Sequence, residues 1–232
     1  MLVNALNILY LPAVFGAVRL AGRRPGTLSG VAGALRWRWL GTCALCGLVV
    51  GVLDVLVTLA FGGVGQPAPG PGGAAWWTAA GVAVVLVPLA AAGVQYLRGL
   101  LLQVFGAWTG REWPAIVLTT AVLMVLFHIS ADPVEATAAV IVGIAMGWLT
   151  IRTGGLEAAL GLFSVHWLLS TLVDLSLGIP AAGPTPEFTL LDVLPSTVAH
   201  LVAVLGYTWW TARNAPAPRT ASATGPERVP GW

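Results

Sequence analysis

Residues Trp76–Trp108 form a continuous apolar run with a single charge, Arg98. The run exceeds the about 20 residues a helix needs to cross a bilayer. In hydrocarbon the backbone has to satisfy its own polar groups, so such a segment is helical. An unpaired charge there is costly, and Arg98 therefore needs a partner, a water-filled cavity or a route to the interface. Gln95 and Gln103 lie on either side of it. The bulk composition fits a bilayer as solvent: 57% hydrophobic, 9% charged and a mean hydropathy of +0.87. A soluble domain carries about a quarter charged residues. The net charge of +2 is too small and too dispersed to suggest nucleic acid as a partner.

The other apolar runs extend this reading along the chain. Met1–Val18, broken by Pro12, is short for a span and has no convincing cleavage site, so a truncated or tilted first helix is expected. Trp39–Phe61 is a second span with Asp54 inside it, followed by the uncharged Gly- and Pro-rich loop Gly62–Gly73. The region containing Arg98 is too long for one perpendicular span, which makes Gly99 a candidate bend. Pro114–Ile129, Val134–Thr150, Leu156–Leu177 and Phe188–Thr211 follow, the last kinked or interrupted near Pro195. The expected fold is all-α: a polytopic transmembrane helix bundle of about seven spans over residues 1–213, or six if the first run does not cross. From Asn214 the tail of Pro, Ala, Thr and Arg is expected to be disordered.

With seven spans every arginine falls on one side, and there is no lysine. That side is expected to be cytoplasmic, as in a bacterial-type plasma membrane, with the C-terminus inside. Ala139, Gly143 and Gly147 mark a closely packed helix face, read as packing within the bundle in preference to a dimer seam. Cys43 and Cys46, a lone C-x-x-C, read as ordinary core thiols.

Ionisable residues at membrane depth are functional candidates: Asp54, Arg98, His128, Glu157, His166, Asp174 and His200. A reversal at Thr109–Glu112 would leave Gly93–Gln95 and His128 each about 25 Å from the turn, at one level. His166, Ser170 and Asp174 recur every four residues and share a helix face. They read either as a proton relay or as a serine bonded to its own backbone beside an outward-facing carboxylate.

The segment Gln95-Tyr-Leu-Arg-Gly-Leu-Leu-Leu-Gln-Val-Phe-Gly-Ala-Trp108 resembles the first motif, E-E-x-x-x-R-G, of the CPBP (Abi) intramembrane proteases, relatives of the type II CAAX prenyl endopeptidases. Met124–His128 corresponds to the family's F-x-x-x-H, and Phe163–Trp167 to its H-x-x-x-N, after the similar segment Gly155–Leu160. Arg36–Leu40, Trp113–Ile116 and Gly147–Thr150 also resemble family members, and the family-like core covers about residues 76–212. The resemblance implies a water activated by glutamate and histidines, directly or on a metal. Carried over singly, the two glutamates fall on Gly93 and Val94, the arginine on Arg98 and the first histidine on His128. The second histidine falls on Phe163 and the asparagine on Trp167.

Glycine and valine offer no lone pair to a water, and Gln95 has no useful basicity. The leading expectation is a degenerate family member acting as a membrane binding or scaffold protein, without a cofactor. Its partners would be the lipid bilayer and a membrane protein or peptide held in the cavity. An active peptidase would need a rearranged site on His128 and His166, with Asp54, Asp174 or His200 completing the about three protein ligands of a catalytic zinc or other divalent metal. Gln95, Gln103, Asp54, Ser170 and Asp174 are the candidate cavity residues. A small transporter or channel subunit is the third reading, although no inverted repeat supports it.

Overall fold

The computed structural model describes residues 6–30, 33–60, 73–127, 133–177 and 190–216. Among these, the chain forms α1 (Tyr10–Leu20), a 3-10 turn (Pro25–Leu28), α2 (Trp37–Ala60), α3 (Ala74–Thr109), α4 (Glu112–Leu126), α5 (Pro133–Thr153), α6 (Glu157–Leu177) and α7 (Leu190–Asn214). By length and apolar content, Trp37–Val57, Ala74–Thr109, Ala136–Thr153 and Glu157–Leu177 can each cross a membrane. On α2 the exposed residues Leu45, Val49, Leu53 and Leu56 repeat at helical spacing. Such a stripe is unfavourable in water and natural against lipid tails. The protein is an integral membrane helix bundle.

The first helix is short. Its 11 residues rise about 16 Å, against a hydrocarbon core of about 30 Å. Instead of crossing alone, α1 packs along α3, where Val14 and Val18 join Tyr96, Leu156 and Leu160 in one buried cluster. The α4 helix, with 15 residues, is also short for a span. The α7 helix is long enough at 25 residues but more polar, and it continues through Pro195.

The α3 helix runs unbroken for 36 residues, with Pro88 inside it, about 54 Å in all. Gly99 is not a bend. Its missing side chain lets Leu156 approach, and an added Cβ would lie 3.2 Å from both Leu156 methyls. The helix stops at Gly110, whose left-handed φ of 64° turns its N–H back to the Gly106 carbonyl at 2.9 Å. A non-glycine residue adopts that conformation at a cost.

Helices α2 and α6 run in the same direction and pack closely. A Cβ on Gly161 would stand 2.8 Å from the Ala44 nitrogen, one on Gly47 3.1 Å from the Leu162 Cα, and one on Gly51 2.7 Å from a Leu169 methyl. Their starting ends are joined by a charge pair. Arg36 donates from its backbone N and its Nε to Glu157 Oε1, each at 3.0 Å, and from Nη2 to Oε2 at 3.0 Å. Nη2 also reaches the Thr153 carbonyl at 2.9 Å and Nη1 the Pro216 carbonyl at 3.3 Å. One arginine thus ties the start of α2, the end of α5, the start of α6 and the residues after α7. Glu157 is fully buried, and such a carboxylate needs this set of donors.

The small-residue face of α5 packs inside the molecule: a Cβ on Gly143 would meet Thr120 at 2.6 Å and one on Gly147 would meet Ile116 at 3.1 Å. Cys43 is buried and Cys46 half-buried, both as free thiols. The expected tail lies outside the described residues beyond Pro216.

Candidate functional site

Apart from the Arg36–Glu157 tie, two polar regions stand out among the described residues. The first surrounds Arg98 on α3, which is 5% exposed. Its Nη1 donates to the Gly143 carbonyl of α5 at 2.8 Å, and its guanidinium carbon stands 5.7 Å from the centroid of the Phe163 ring on α6. Both contacts suit a cation in an apolar setting. Phe163 in turn meets Trp167 edge-on at 5.8 Å. Gln95 is fully buried, and neither its amide nitrogen nor its oxygen bonds to any described residue. Gln103 turns away from this region, donating to the Thr27 carbonyl at 2.9 Å.

Next to it, α1 closes on Gly93. A Cβ added there would fall onto the Asn7 carbonyl oxygen and lie 3.6 Å from the Tyr10 Cβ. Tyr10 also meets Phe127 edge-on, with ring centroids 5.9 Å apart. Gly93 and Phe127 therefore both border the same residue of α1. His128 itself lies outside the described residues. The Tyr96 hydroxyl, 3.0 Å from the Ser29 hydroxyl, holds this side of α3 to the segment after α1.

The second region joins α2, α6 and α7. Asp54 Oδ1 stands 3.2 Å from His200 Nδ1, and Asp54 Oδ2 stands 3.7 Å from His166 Nδ1. The two imidazole rings have centroids 5.0 Å apart, tilted by 45°. The three side chains are 13%, 27% and 24% exposed for Asp54, His200 and His166. His166 is thus engaged across helices instead of along its own. Ser170, one turn further along α6, is half-buried, and Asp174, two turns on, is exposed, so the relay stripe does not converge. Phe163 and His166 are three positions apart, which leaves them about 60° apart around α6. One faces Arg98 and the other faces α2 and α7.

Residues 73–172 match the family model described as type II CAAX prenyl endopeptidase Rce1-like. Over these 100 residues the chain is similar to the type II CAAX prenyl endopeptidases. The matched stretch contains all of α3, α4 and α5 and most of α6. No curated protein and no solved structure matches the chain.

Gly93, Val94, Phe163 and Trp167, on which the motif resemblance lays the two glutamates, the second histidine and the asparagine, offer no side-chain metal ligand. With His128 as the one residue of that resemblance able to ligate, the count stays short of the about three donors of a catalytic zinc. Asp54, His166 and His200 do supply three. Asp54 and His200 lie outside the matched residues.

Each of these three was visible in the sequence as an ionisable residue in an apolar run. Their meeting was not, because it depends on which helices are neighbours in space. The Arg36–Glu157 pair was missed in the same way, although both residues fell in segments that resemble the family.

Proposed function

We propose that the chain is a membrane-embedded binding or scaffold protein on the CAAX endopeptidase fold, without hydrolysis at the family's catalytic position. The carrying observation is what fills that position: the Asn7 backbone carbonyl lies against Gly93, and Phe163 lies by Arg98. A general base has to reach a water with a free lone pair, and an aromatic ring and a glycine without a side chain supply none. The cavity would hold a peptide or another membrane protein. The arginine-bearing end, where Arg36 gathers four segments, would face the cytoplasm together with the C-terminus.

The test is turnover of a prenylated CAAX peptide by purified protein, alongside His128→Ala and His166→Ala. No turnover by the parent is the expected result. Turnover lost in His128→Ala would restore the family mechanism and overturn this reading. One observation favours a second reading, a hydrolase with a relocated centre: Asp54 and His200 gather around His166. Turnover that survives His128→Ala and disappears in His166→Ala would establish it.

A further inference from the structure

We propose that Asp54, His166 and His200 form a binding site for one divalent transition-metal ion of the zinc class. The proposal does not depend on whether the protein hydrolyses anything. Its basis is the convergence of three donors from α2, α6 and α7, whose ligand atoms all lie within 4.8 Å of one another.

The spacing is on the scale a metal site needs. Two donors bound to one tetrahedral ion at about 2.0–2.1 Å are themselves about 3.4 Å apart. Here the carboxylate presents Oδ1 to His200 at 3.2 Å and Oδ2 to His166 at 3.7 Å, so a small adjustment brings one oxygen and both imidazoles onto a single ion. By contrast, an N–H···O hydrogen bond is about 2.7–3.2 Å long. His166 Nδ1 at 3.7 Å is beyond that reach, yet it faces the same carboxylate as His200.

The donor types select the ion. Two imidazoles and one carboxylate suit zinc and its first-row neighbours, while magnesium and calcium prefer all-oxygen shells. Three protein ligands leave a fourth tetrahedral position, and the partial exposure of all three side chains leaves it open to a water or an outside donor. The frame is firm: Gly51 lets α6 come close enough that an added Cβ would lie 3.8 Å from the His166 Cα.

The experiment uses the full chain in detergent, purified through a tag without histidine, stripped with a chelator and then titrated with Zn2+ or Co2+. Bound metal is counted by elemental analysis, and the Co2+ ligand-field spectrum reports coordination geometry. The expected result is about one ion per chain with a tetrahedral Co2+ spectrum. His166→Ala and His200→Ala should each weaken binding by more than the roughly 10–100-fold that loss of a mere supporting residue costs. The double variant Cys43→Ala, Cys46→Ala should bind as the parent does. Size-exclusion profiles identify variants that have not folded, and Asp54→Asn supplies a same-shape replacement. Should an alanine variant not fold, imidazole hyperfine coupling in the Cu2+-loaded parent decides the histidine ligands directly. A folded parent that binds no ion overturns the proposal, as does binding unchanged in both histidine variants or a Cu2+ spectrum without imidazole nitrogen.

Discussion

Around Arg98, a single cation is enclosed by an aromatic ring and a helix carbonyl. On another side of α6, an anion and two imidazoles face one another across three helices and remain partly exposed. The first region holds Gly93 and Phe163, on which the motif resemblance lays a glutamate and a histidine, and neither of them offers a donor. The second holds the donors but stands apart from those positions. The lesson is that polarity inside a membrane bundle does not by itself mark chemistry. A buried charge contacted mainly by backbone and rings is suited to holding helices together, whereas converging lone pairs with an open side are suited to holding a ligand.

The comparison breaks most completely if α6 moves, since α6 carries both Phe163 and His166. Arg36→Ala removes the guanidinium donors of the fully buried Glu157, leaving only the backbone N–H, and should cost about 3–5 kcal/mol. A clear fall in melting temperature in detergent, with metal uptake lost as well, is expected. An unchanged transition would show that α6 is held elsewhere.

Arg98→Leu tests the enclosed region alone. It removes a charged hydrogen bond to Gly143 and should lower stability by about 1.5–3 kcal/mol, visible as reduced folded yield. Metal uptake at Asp54, His166 and His200 should stay at the parental level in the protein that folds. Yields equal to the parent would mean that Arg98 is tolerated and gives no support.

Gly93→Ala asks how tightly α1 seats. The added methyl meets the Asn7 carbonyl and should cost about 1–3 kcal/mol through overpacking, read by thermal unfolding. No change would show that α1 yields easily. The smallest effect is expected for Ser170→Ala, within about 0.5 kcal/mol, with no change in metal binding. A large loss of binding would bring Ser170 into the second region.

The sequence made the fold class legible because long apolar runs leave a chain few alternatives in a bilayer. The reversal at Thr109–Glu112, marked by Gly110, fell where the structure has it. The family relation was legible from Arg98 and the spacing around it. Two features resisted reading for the same physical reason. The seat of α1 on Gly93 and the meeting of Asp54 with His200 are contacts between remote segments, and local periodicity carries no record of which helices become neighbours. Gly99 misled in a different way: glycine signals both flexibility and close approach, and only the position of Leu156 distinguishes them.

The same-direction pairing of α2 and α6 bears on biogenesis. Arg36 and Glu157 are 121 residues apart, so at about 5–20 residues per second translation delivers the second about 6–24 s after the first. During that interval the nascent α2 has neither the helix that covers its glycines nor the imidazoles that flank Asp54. An aspartate inside a spanning helix adds to the cost of inserting it, and the leucines and valines of α2 have to outweigh that cost before α6 and α7 arrive.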